Sequence, residues 1–244
     1  MDLQEQNITL IAKPRRTLYI LAGLGIVLII FSLIGQYLRM FPNSFSAHSP
    51  LLVHNFIVEF DVNAEANFPT MYSVSMAIAA SFLLFVIAYF KNKARDGYRF
   101  HWVVLALFLL YVSVDDASVI HEKVSKYLKG LTDLGGWFQY KWVIVGLAII
   151  AILGVSFFRF WLNLDNKYKI LFLLSAGLFF GGAMGVEMVG GRWANAYGSR
   201  NFTYILFTTL EQGMQYSGLM TLVYTLLLYI KSHIPNFSVS VKDQ

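Results

Sequence analysis

Six apolar runs of about twenty residues each dominate the chain, at about 17–38, 70–90, 102–120, 142–161, 170–189 and 202–230. A helix rises about 1.5 Å per residue, so a run of this length crosses a hydrocarbon core roughly 30 Å thick. Hydrocarbon supplies no hydrogen-bond partner, so the backbone of each run has to satisfy itself by forming a helix. The expected fold is all-α: a polytopic transmembrane helical bundle of about six spans, with residues 1–244 forming a single integral membrane domain. Composition agrees, because only 14% of residues are charged against about 25% in soluble domains. The chain has no cysteine, which excludes disulfides, thiolate metal ligands, cysteine nucleophiles and iron–sulfur clusters. The net charge of +5 is spread over short loops, with no basic groove interleaved with aromatics. Nucleic acid is therefore not an expected partner; membrane lipids, a membrane-protein partner or a second copy are.

The first run is longer than the 7–15 residues of a signal-peptide core, and no small-x-small cleavage site closes it. It reads as an uncleaved span. With the N-terminus inside, 12 of the 19 Lys and Arg residues fall in cytoplasmic segments and the other seven outside. That bias favours cytoplasmic N- and C-termini for a multi-pass protein, although Lys123, Lys126 and Lys129 in an outer loop oppose it. The longest loop, 39–69, lies outside, and Leu51 to Phe60 within it reads as a short interfacial segment. The sequon Asn201, Phe202, Thr203 falls in another outer loop and matters only in a eukaryotic secretory membrane.

Ionisable groups at membrane depth are costly and usually face the bundle interior or water. Here they share one level, in the outer third: Glu65 before the second run, Asp115, Asp116, His121 and Glu122 at the top of the third, Glu187 in the fifth and Glu211 in the sixth. On a continuous helix at about 100° per residue, Asp115 at 0° puts Ser118 at about 300°, His121 at about 240° and Glu122 at about 340°, all on one face. Asp115, His121 and Glu122 are the expected catalytic groups. Asp115, His121, Glu122, Glu187 and Glu211 are the expected ligands of a divalent metal such as Zn, Fe or Mn. Glu65, Asn67, Ser118 and Arg192 are the expected substrate contacts, with Glu65 and Asn67 forming a lid and Arg192 within reach of Glu187 as a counter-ion. Ser118, His121 and Asp115 also have the composition of a nucleophilic triad. Glycines at 177, 181, 182, 185, 190 and 191 allow close helix approach along the fifth span.

Three functions use these residues. The first binds a metal or polar head group for chemistry on a lipid-soluble substrate. The second is a proton- or ion-coupled carrier that uses the acids as a relay. The third is a non-catalytic accessory subunit, in which the acids only fix helix packing.

Two stretches resemble a broad group of uncharacterised bacterial multi-pass membrane proteins. Phe60, Asp61, Glu65, Asn67, Pro69, Thr70 and Ser73 match F-D-x-x-x-E-x-N-x-P-T-x-x-S, and Ser113, Asp115, Asp116, Ile120, His121 and Glu122 match S-L-D-E-x-x-x-I-H-E with Asp116 in place of Glu. The resemblance implies a bacterial inner membrane; that group carries several acids in its last span, where Glu211 matches, while Gln212 and Gln215 stand where acids are expected. The chain is more faintly similar to the ceramidase-like membrane hydrolase superfamily, a resemblance that implies zinc. The H-x-x-x-H of that superfamily's last span is replaced here by Glu211 and Gln215.

Overall fold

The computed structural model describes residues 7–8, 13–41, 50–130, 136–234 and 239–240. Part of the expected outer loop, 42–49, lies outside the described residues. Nine α-helices carry the described fold: α1 Pro14–Met40, α2 Pro50–Phe60, α3 Phe68–Lys93, α4 Arg99–Ser118, α5 Ile120–Lys129, α6 Trp142–Leu162, α7 Asn166–Phe180, α8 Glu187–Tyr197 and α9 Phe202–His233. A wide π-helical turn, Gly181–Val186, joins α7 to α8. A two-residue antiparallel pairing of Asn7–Ile8 with Val239–Ser240 brings the two terminal segments together.

Five helical segments are long and apolar enough to cross a membrane: α1, α3, α4, α6 and the continuous stretch Asn166–Tyr197. The protein is a multi-pass, all-α membrane protein. Its outward surface is apolar, with Ile20, Leu24, Leu107, Ile152 and Val155 all exposed, as a lipid-facing surface requires.

The sixth long helix, α9, is more polar because it is the bundle's centre. It packs against α1, α3, α7 and α8 and buries Tyr216, Leu219, Val223, Leu226 and Tyr229. Three of its hydroxyls are satisfied within the helix: Ser217 Oγ donates to Gly213 O at 2.7 Å, Thr221 to Ser217 O at 2.7 Å and Thr225 to Thr221 O at 2.6 Å. This back-bonding removes the desolvation cost of the hydroxyls. On α7, Ser175 Oγ bonds Gly218 O at 2.8 Å. A Cβ on Gly218 would sit 2.6 Å from Phe179 N, so only glycine permits this approach.

Helices α3 and α4 pack antiparallel through small residues, Ala77, Ala80, Ala88 and Ala106, and Ser81 Oγ donates to Ala106 O at 2.7 Å. The aromatic cluster Phe31, Phe56, Phe60 and Phe68 seats α2 on α1 and the start of α3.

Candidate functional site

The turn between α2 and α3 is a rigid bracket that presents Glu65. Asp61 is buried and clamped from α1, with Arg39 Nη1 at 2.8 Å and Gln36 Nε2 at 2.7 Å. Asn67 caps α3: its Oδ1 accepts from Thr70 N and Oγ1, both at 3.1 Å, and its Nδ2 donates to the carbonyls of Asp61, Ala64 and Val58. Pro69 stands in the first turn, where no N–H is missed. Asn67, expected as a lid and substrate contact, is instead spent on the backbone, because a cap uses both ends of its amide.

The third span ends close to its expected limit of about 120, so the phase arithmetic that carried one helix on through His121 is corrected. Helix α4 ends at Val119, which adopts the left-handed conformation at φ 57° and ψ 40°. For a β-branched residue this is an outlier that the surrounding structure has to enforce. The break turns α5 aside and folds His121 back onto α4. Its Nδ1 lies 3.1 Å from Asp115 Oδ2 and its Nε2 lies 3.0 Å from Glu65 Oε1. The edge of its ring meets Trp142, with centroids 5.3 Å apart. Burial works against charge on the imidazole, but the bonds to Asp115 and Glu65 outweigh it and raise its pKa to about 10. Glu65, His121 and Asp115 thus form one row, held from α4, α5 and the α2–α3 turn. Ser118 is exposed on the far side of the break and contributes its carbonyl to Lys123 Nζ at 2.9 Å. No triad forms there.

The opposite wall comes from α8 and α9. The π turn re-aims the residues that follow it, as such turns do at functional sites. Glu187, immediately after it, accepts from Trp142 Nε1 at 3.2 Å. Glu211 on α9 accepts from Gln215 Nε2 at 3.1 Å. A Cβ on Gly182 would lie 2.7 Å from the Glu211 carbonyl, so this glycine lets the π turn close on α9 beside the acid. Tyr204 OH donates to Asn63 Oδ1 at 3.2 Å, and Tyr140 OH lies 3.4 Å from Tyr204 OH.

Together these walls enclose a cavity of about 330 Å³, within the size range of small-ligand sites. Glu65, Asp115, Asp116, Glu122, Glu187 and Glu211 line it, with His121 and no Lys or Arg among the described lining residues. Asp115 Oδ1 is buried and has no hydrogen-bond partner among the described residues.

The five residues expected as metal ligands all line this cavity but do not converge on one point. Among the described residues no three His, Asp or Glu groups are placed to hold a metal ion. Both His121 nitrogens face carboxylates, and Glu122 turns to Lys126 at 2.9 Å. Arg192 is not the counter-ion of Glu187; its guanidinium lies over the Trp137 ring, 4.5 Å from the centroid, and is not among the cavity's lining. Reasoning from sequence missed Trp142, Tyr140 and Tyr204. An aromatic at a span boundary reads as an interfacial anchor, so nothing marked them as wall residues. Asn201 of the sequon caps α9 by accepting from Tyr204 N at 3.0 Å.

No curated protein and no solved structure matches this chain. A family model described as a domain of unknown function, DUF8692, matches residues 18–229. That match covers most of the sequence, and the chain belongs to this family, a domain of unknown function.

Proposed function

We propose that the cavity binds a positively charged ligand group, with Asp116, Glu187 and Glu211 as its anionic lining and Glu65, His121 and Asp115 as an acid–base row at its mouth. The observation that carries this reading is the imbalance of the lining: no Lys or Arg stands among its described residues, His121 takes up Glu65 and Asp115, Lys126 takes up Glu122, and Asp116, Glu187 and Glu211 have no ion pair among the described residues. Carboxylates at membrane depth without a counter-charge are costly. They either hold protons or take a cation from outside, and exchange between those two states is what such a site can do. The trapped Asp115 oxygen supports the same reading, since a buried acceptor without a donor costs roughly 1–3 kcal/mol. The basic residues Lys13, Arg15, Arg16, Lys91, Lys93 and Arg95 flank the opposite end of the bundle, which favours that end as cytoplasmic and puts the cavity toward the outer leaflet of a bacterial inner membrane.

The test is the thermal stability of the full chain in phosphatidylcholine nanodiscs with butylammonium, Mg²⁺, Zn²⁺ or butyrate. A ligand at about 100 times its Kd stabilises the folded state by about 2.7 kcal/mol. One class of cation should raise the melting temperature, butyrate should not, and Glu187→Gln with Glu211→Gln should abolish the effect. Elemental analysis of the purified protein separates a retained metal from an organic cation. Indifference to every cation would overturn the reading. The row Glu65–His121–Asp115 also suits a proton-coupled carrier; proton flux into proteoliposomes that is driven by the bound cation would identify that version.

A further inference from the structure

A second cavity of about 550 Å³ lies below the acidic one, between α4, α6 and α7 with α9 as its floor. The two share Phe108, Val112, Ile150, Phe179, Phe180 and Leu219 as a common wall, so they adjoin, with the Phe108 and Phe180 rings 6.2 Å apart between them. The lower cavity is hydrocarbon-like. Its walls are Leu, Phe, Val, Ile, Trp, Ala and Gly, and its single hydroxyl, on Ser175, is already bonded to Gly218 O. The space exists because the middle of α6 packs loosely, with Ile149, Ile150 and Leu153 only half-buried. The buried residues of α6 are Val143 and Gly146 at one end and Phe160 at the other, with none between. From Gly146 to Trp161 the helix rises roughly 22 Å, somewhat more than one leaflet of a core roughly 30 Å thick. Phe158 and Leu173 on its rim are exposed, so the space opens toward the lipid-facing surface and can take a hydrocarbon chain beside the acidic chamber.

We infer that the adjoining cavities hold a single-chain amphiphile with a protonated amine or quaternary ammonium head: the hydrocarbon chain lies between α4, α6 and α7, and the head lies among Glu187, Glu211 and Asp116. The inference rests on the cation-binding reading and adds to it the ligand's chain, its orientation and its class. The charge of the upper chamber selects the head, because an anionic head would face Asp116, Glu187 and Glu211 with no Lys or Arg among the described lining residues to receive it. The shared wall of Phe108, Val112, Ile150, Phe179, Phe180 and Leu219 sets the chain directly below it, with the chain passing between these side chains. Metal salts and soluble cations fill only the upper chamber and leave the lower one empty.

Gly154 makes the chain site testable without disturbing the acids. It lines the lower cavity, and a Cβ built there meets nothing within 4 Å. Gly154→Phe fills the space the chain needs, and Ala176→Leu does so from the facing wall. The experiment uses the full chain in phosphatidylcholine nanodiscs with hexadecylamine carrying a diazirine at mid-chain, beside the matching hexadecanol and hexadecanoic acid probes. After photolysis, labelled peptides are mapped and saturation curves recorded. The amine should label residues 150–180 in preference to the alcohol and the acid. Displacing about two methylenes corresponds to about a tenfold loss of affinity, so each filling variant should weaken amine labelling by about that factor. Glu187→Gln with Glu211→Gln should erase the preference for the amine.

Two failures overturn the inference and remain distinguishable. If butylammonium stabilises the protein while hexadecylamine labelling ignores Gly154→Phe and Ala176→Leu, the chain site is wrong and the cation site stands. If all three probes label 150–180 equally and both filling variants reduce them alike, the chain site stands, and the ammonium head is wrong together with the cation reading. A filling variant that does not fold is recognised by its circular dichroism and melting, and the other variant then decides.

Discussion

The row Glu65–His121–Asp115 makes a quantitative claim about one proton. Burial alone would push the His121 pKa below its ordinary 6.5, but two carboxylates within 3.1 Å raise it to about 10. Removing one opposite charge at this distance shifts a pKa by about 1–3, and each tenfold step in acidity is about 1.4 kcal/mol. Asp115→Asn or Glu65→Gln should therefore lower the His121 pKa by about 1–3 and weaken the hold on the charged ring by about 1.4–4 kcal/mol. The double variant leaves burial unopposed, and its ring should titrate below 6.5. The assay is NMR of ¹³C,¹⁵N-histidine-labelled protein in nanodiscs, with His121 assigned among the five histidines by a His121→Gln sample. Stability should follow the proton. The folded-state pKa lies above the unfolded one, so the contribution is fully present below about 6.5 and is lost as pH rises from there through about 10. A wild-type ring that titrates near 6.5, or one that both single variants leave unmoved, would refute the row as an electrostatic unit.

Gly218→Ala should destabilise the protein by about 1–3 kcal/mol, read as thermal unfolding in detergent, because its Cβ would meet the Phe179 backbone. Gly177→Ala, where a Cβ meets nothing within 4 Å, should be neutral or stabilising by up to about 1 kcal/mol. Asn67→Ala should cost about 1 kcal/mol for the cap alone and more for the carbonyls it leaves unpaired, and it should loosen Glu65, seen as a lower His121 pKa. Asp61→Ala strips Arg39 and Gln36 of their partner; it should destabilise more than Asn67→Ala in the same melt, while Arg192→Ala, outside the cavity lining, should leave cation binding unchanged.

The membrane bundle was legible because lipid imposes a local rule. Every span has to be helical and apolar over a fixed length, and a run of twenty residues records that without reference to its neighbours. The level shared by Glu65, Asp115, Glu187 and Glu211 was legible for the same reason, since counting residues along a helix gives depth. Direction was not. Phase arithmetic assumed that α4 continues through His121, whereas a left-handed Val119 ends it, and no residue type nearby announces the break. The acids were read as one ligand set, but His121 spends both nitrogens on Asp115 and Glu65, while Glu122 faces Lys126. Asn67 read as a contact because a cap and a lid use the same polar side chain.

The sequence by itself determined that this chain is helical, membrane-spanning and acidic at one depth, because those properties depend on each residue and its solvent. Only the tertiary structure decided that α9 stands at the centre, that Glu65 reaches His121, and that an apolar chamber lies between α4, α6 and α7 beneath the acids. Each of these depends on which helix lies beside which, and on glycines such as Gly182 and Gly218 that let two backbones meet. Such pairings join residues far apart along the chain and leave no period within any one segment.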